Sequence, residues 1–289
     1  MKKGMDDRRN LQYALIGVYA LCFALRGLEY FVLRTDETFW GEAFLHKLAG
    51  IAVLYAAAKR YGFSAREIGF ARGRAVRKLL AGLGFGTVVF ALAYFVEIAM
   101  LAARQQFTAV RIYVSAYAPG GNIGNQTAPV FFLICIQGNA VNVIMEEGVF
   151  RGLFPRMLEK RYSFFTGAVI SAALFGVWHI AAPLRSFLDG EAELHAFAAN
   201  ALMLVVTSAL IGLKFSMLAR LTGSLYMGMG DHFVNNTLVN MIHVLSRTGA
   251  DEWQVLRIAL AQSVSFAVVL ACYVCRNRKQ KAGGTTGQS

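Results

Sequence analysis

Charge is what this sequence has least of. Only 16% of its 289 residues are Asp, Glu, Lys or Arg, against about 25% in a soluble chain. Cysteine is scarce too. Cys22, Cys135, Cys272 and Cys275 all fall inside apolar runs, which excludes a disulfide framework. Cys272 and Cys275 have C-x-x-C spacing, but they sit at the end of an apolar helix before a basic tail, where packing explains them. No internal repeat, low-complexity tract or linker to a second domain is present. The chain therefore reads as one integral membrane domain over residues 1–281, with 282–289 as a disordered tail.

What is abundant is apolar sequence, 56% of the chain, gathered in long runs rather than in stripes. A run of about 20 such residues is what a helix needs to cross a hydrocarbon core. Eight spans are expected: Leu11–Leu33, Ala43–Ala58, Leu79–Ala103, Pro129–Glu159, Ser163–Ala182, Phe197–Ala219, Gly223–Leu245 and Trp253–Cys275. The fold class is thus an all-α polytopic transmembrane bundle. The charged N-terminus precedes a stretch too long for a signal-peptide core, and no small-residue cleavage site follows, so it reads as an uncleaved first span.

The net charge of +12 would fit nucleic acid if it formed one surface. Instead Lys and Arg alternate between loops. The termini and the loops around Lys59–Lys78, Arg156–Arg161 and Lys214–Arg220 carry twenty, and the intervening loops five. This pattern predicts cytoplasmic termini and accounts for the charge with membrane lipid, not nucleic acid, as the partner. A bacterial-type inner membrane is the expected location.

Ionisable residues inside spans are costly, so they point to function. The fourth span contains Glu146 and Glu147, followed by Arg151. Glu147 and Arg151 share a helical face as an i,i+4 pair, which leaves Glu146 as the uncommitted carboxylate, with Asn139 and Asn142 on roughly its face. Another stripe runs from His232 through Asn236 and Asn240 to His243. His179 stands in the fifth span, while His46 and His195 lie at span ends and receive no role. Counted from the basic ends of their spans, Glu146, His179 and His232 lie roughly 21, 24 and 18 Å deep at about 1.5 Å per residue. Similar depth permits convergence.

Such a set suits hydrolysis. Glu146 can take a proton from water that His179 helps to hold, and His232 with Asn236 can donate to a carbonyl oxyanion. Alternatively Glu146, His179 and His232 form a zinc ligand set, although no His-Glu-x-x-His helix is present. The cofactor is therefore none or Zn²⁺. Two other hydrolase readings fail. Gly228-Met-Gly-Asp231 has the G-x-G-D pattern of aspartyl peptidases, but the sequence offers no second aspartate at membrane depth. Gly223-Ser224 makes no nucleophile elbow.

Glu146-Glu147-x-x-x-Arg151, Phe175-x-x-x-His179 and His232-x-x-x-Asn236 together resemble the E-E-x-x-x-R, F-x-x-x-H and H-x-x-x-N/D motifs of the CPBP family (CAAX proteases and bacteriocin-processing proteins, also called Abi). That family includes the type II CAAX prenyl endopeptidases. The resemblance covers roughly Val130 to Leu245, within a catalytic core at about 129–245. It implies an eight-helix intramembrane endopeptidase, described in its family as glutamic or metallo. By similarity Glu146 activates water, His179 assists it, His232 and Asn236 form the oxyanion site, and Glu147 and Arg151 support them. The substrate would be a protein or peptide with a membrane-associated C-terminal segment. The competing reading is a membrane carrier or accessory protein in which Glu29, Glu97 and Glu146 relay protons. It would call for an internal repeat, and none is found.

Overall fold

A computed structural model describes residues 2–115 and 124–284. The chain folds as the expected all-α polytopic bundle, with one small sheet added. Helix α1 (Lys2–Leu28) runs into a π turn (Glu29–Leu33), and α2 (Leu45–Arg60) and α3 (Ala75–Ala103) follow. Strand β1 (Phe107–Ile112) precedes α4 (Pro129–Glu147), a π turn (Gly148–Leu153) and α5 (Phe154–Leu158). Next come α6 (Phe164–Trp178), α7 (Ala181–Leu188), α8 (Leu194–Thr222), α9 (Tyr226–Met241), β2 (Ile242–Ser246) and α10 (Gln254–Gly284). Of the tail expected to be disordered, 282–284 complete α10 and the remainder lies outside the described residues.

Six of the helical segments are long and apolar enough to cross a membrane, among them Pro129–Leu158, which joins α4, the π turn and α5. Helices α2 and α9, with 16 residues each, are shorter than these six. Apolar side chains such as Val88, Phe95 and Leu202 point outward and are about two-thirds exposed. A soluble surface rarely presents so much contiguous apolar area, so these faces suit lipid.

Local chemistry sets the helix ends. Pro129 opens α4 at a position where a missing N–H costs nothing. The Ser163 hydroxyl caps α6 by accepting from the Thr166 amide at 3.2 Å. Gly223, at φ +64°, takes the left-handed conformation that closes α8. Helix α2 is capped by a side chain from elsewhere, because Glu29 accepts from the amides of Leu45 (2.8 Å) and His46 (2.6 Å). Helices α3 and α9 cross closely. A methyl group on Gly82 would lie 2.1 Å from the Met227 carbonyl oxygen, and one on Gly230 would lie 2.5 Å from that of Leu79. Small residues allow such backbone approach in membrane bundles.

Three sequence expectations need correction. The seventh span does not reach Leu245. It ends at Met241, and Ile242–Ser246 pair antiparallel with Phe107–Ile112. His243 therefore leaves the helical stripe of His232. Its ring stacks on Tyr113 at 3.7 Å, and its Nδ1 lies 2.5 Å from Asp251. Lys214 is not a loop residue either, being fully buried within α8. Its charge belongs to the interior and not to the basic loops.

Candidate active site

The site is assembled where α4, α6 and α9 meet, directly before the π turn. A π turn admits one extra residue per turn and is often found at functional sites. Here it begins at Gly148, immediately after the paired glutamates. Arg151 lies inside it, buried, with Nη1 3.4 Å from Glu147 Oε1. The expected Glu147–Arg151 pair is thus present. The guanidinium also lies over the Phe175 ring, 3.7 Å from its centre.

Glu146 is less solitary than its sequence position implies. Its Oε1 accepts from the Trp178 indole N–H at 3.0 Å, and its Oε2 from Asn142 Nδ2 at 3.3 Å. Arg26 reaches only 4.0 Å from Oε1. The reading of an uncommitted carboxylate is corrected to one held by two neutral donors and a marginal cation. Each carboxylate oxygen has two acceptor sites, so capacity for a further proton donor remains.

His232 joins both glutamates. Its Nδ1 lies 3.0 Å from Glu147 Oε1, and its Nε2 lies 3.6 Å from Glu146 Oε2. The Phe215 ring stacks on the imidazole at 5.1 Å between centres, with 19° between planes. One turn later Asn236 Oδ1 accepts from Asn235 at 2.9 Å, while its Nδ2 carries no hydrogen bond among the described residues. Asn139 ties α4 to α9 through Thr237 at 3.3 Å.

His179 closes α6. Its Nδ1 lies 2.8 Å from the Phe175 carbonyl oxygen. A carbonyl only accepts, so Nδ1 carries the proton and a neutral ring keeps its lone pair on Nε2. No hydrogen bond or ion pair joins His179 to Glu146 among the described residues. The structure therefore links Glu146, Glu147, Arg151 and His232 directly and leaves His179 and Asn236 flanking them.

Sequence reasoning missed Trp178 and Arg26. Trp178 precedes His179 and looks like core packing, because only the fold reveals where its indole N–H points. Among the described residues no group of three or more His, Cys, Asp or Glu side chains is placed to hold a metal ion. No hydrogen bond joins Glu29 or Glu97 to Glu146 among the described residues. Glu29 is occupied by His46 and the start of α2, and Glu97 by Arg257 at 3.0 Å.

Residues 127–238 match the family model described as "Type II CAAX prenyl endopeptidase Rce1-like". No curated protein matches the chain. The matched segment contains all three motifs, and the apolar helices around it mark an integral membrane protein. Residues 127–238 are thus similar to the CPBP/CAAX protease family.

Proposed function

We propose that this protein is an intramembrane endopeptidase that hydrolyses a peptide bond near a membrane-embedded or lipid-modified segment of a protein substrate, with Glu146 activating the water. The observation that carries this reading is the placement of His232 between two adjacent carboxylates, one on each ring nitrogen. A structural ion pair needs only one of them.

The proposed steps use only these side chains. Glu146 takes a proton from a water whose other hydrogen the Nε2 lone pair of His179 accepts. The water oxygen bonds to the scissile carbonyl carbon, and the carbonyl π electrons move to oxygen. Asn236 Nδ2–H and His232 Nε2–H then donate to that oxyanion, the arrangement that most efficiently stabilises such an intermediate. The Nδ1 of His232 faces Glu147, so donation to the oxyanion uses a proton on Nε2. Arg151 holds Glu147 in place. As the oxyanion collapses and the C–N bond breaks, the leaving nitrogen takes the proton from Glu146. Water and peptide become a carboxylic acid and an amine, with nothing else consumed.

No step in this scheme needs zinc. The testing experiment is cleavage of membrane-anchored peptides by purified protein, with and without exhaustive chelation, beside a Glu146→Ala control. Cleavage should survive chelation and vanish in the control. Loss on chelation with restoration by Zn²⁺ would overturn the metal-free mechanism, and equal cleavage by the Ala variant would overturn the role of Glu146.

A further inference from the structure

Arg151 also lines a cavity of about 290 Å³ at the basic end of the bundle. None of Glu146, His179, His232 or Asn236 lines it. Four arginines do: Arg151, Arg156, Arg220 and Arg276, with Glu159 as the sole lining acid. Arg156 is matched by Glu159 at 2.9 Å, and Arg151 faces Glu147. Among the described residues no ion pair matches the remaining two positive charges, on Arg220 and Arg276.

The innermost arginine is the unusual one. The Arg151 side chain is about 1% exposed, yet among the described residues neither Nη1 nor Nη2 has a hydrogen-bond partner. Buried guanidinium donors without acceptors are expensive, and this one lines a cavity large enough for a small anionic group. At the mouth, Arg220 lies over the Phe164 ring at 4.9 Å, and Arg276 donates to the Leu221 carbonyl. Both are exposed at the ends of membrane-crossing helices, the level at which phospholipid headgroups lie. The planar donor fork of arginine matches the oxygens of a phosphate bidentately.

We infer that this cavity is a binding site for a phosphate-bearing anion, with Arg151 at its floor and Arg220 and Arg276 at its mouth, and that a phospholipid headgroup supplies the phosphate. A ligand there shares Arg151 with Glu147, the carboxylate that orients His232, so the cavity stands one ion pair from the active site. This inference does not depend on the protease reading.

The test is ligand-dependent thermal stability of the full-length protein in neutral detergent at fixed ionic strength. The probes are short-chain phosphatidylglycerol, short-chain phosphatidylcholine and inorganic phosphate. Phosphatidylglycerol should raise the melting midpoint and phosphatidylcholine should not. The Arg220→Gln/Arg276→Gln pair should weaken the apparent affinity tenfold or more, and Arg276→Gln alone should weaken it less. The Arg72→Gln/Arg74→Gln pair removes equal charge outside the cavity and should leave affinity within about threefold. A response to inorganic phosphate with the same arginine dependence supports the site but overturns the lipid as its source. Absence of any response, or equal weakening by the two double variants, overturns the site.

Discussion

Two neighbouring residues of α9 belong to opposite kinds of cluster. Asp231 faces Lys214, whose ammonium donates to Asp231 (2.7 Å), Gln262 (2.9 Å) and Ser265 (3.1 Å). All three protons of that ammonium are used. His232, the next residue, turns toward α4 and meets two carboxylates that keep acceptor capacity to spare. Both clusters are buried and charged, yet only one has something left for an incoming molecule. Burial and charge together mark cost. Unspent hydrogen-bonding capacity is what separates a site from a rivet.

The sharpest way to exploit that contrast is to remove the flanking groups of the open cluster. His179→Ala should lower cleavage by about 10²–10⁴, the usual range for a positioned acid or base. Asn236→Ala should lower it by about 10²–10³, as for one lost oxyanion donor. Both should melt within a few degrees of the wild type, as seen by thermal denaturation in detergent. Variants that unfold instead would move these residues into the structural class.

The closed cluster should respond the other way. Asp231→Ala strands a fully buried lysine, and breaking such a pair costs about 3–5 kcal/mol. Yield and melting midpoint should fall, while the turnover of the molecules that remain folded stays within several-fold of the wild type. A stable but inactive Asp231→Ala protein would abolish the distinction drawn here.

A smaller effect is expected in the loop between β2 and α10, outside the spans. Burial pushes the Asp251 carboxyl up, but hydrogen bonds from His243 and Arg257 outweigh it and hold the group below its ordinary value. A carboxylate depressed by folding contributes stability above its unfolded pKa, about 3.9. That contribution is lost as pH falls through the lower folded value. Asp251→Asn should therefore cost about 1.5–3 kcal/mol at pH 7, the worth of a hydrogen bond to a charged group. Melting curves of variant and wild type should converge as the pH drops below about 4. A gap that persists undiminished in acid would show that the loop geometry matters more than the charge.

Much of this was legible in the sequence because it is local. Glu147–Arg151 is an i,i+4 pair, and the long apolar runs announce helices whatever their packing. His232 and Asn236 share a face for the same reason. What escaped reading depends on partners far along the chain. Ile242–Ser246 is a short apolar run that helix and strand accommodate equally, and its strand partner lies some 130 residues earlier. Lys214 looks like one of a pair of loop cations until Asp231, Gln262 and Ser265 are brought around it. Trp178 gave no signal at all, since its role rests on one N–H directed at a carboxylate 32 positions away.

The central claim is that Glu146 performs chemistry and does not merely hold helices together. Glu146→Gln preserves shape and can still accept from Trp178, but it cannot take a proton from water. Cleavage of a membrane-anchored peptide should be measured beside the melting midpoint of the same preparation. The account predicts a protein that melts within a few degrees of the wild type and has lost cleavage to the detection limit. A Gln variant that turns over at a near-normal rate would contradict it.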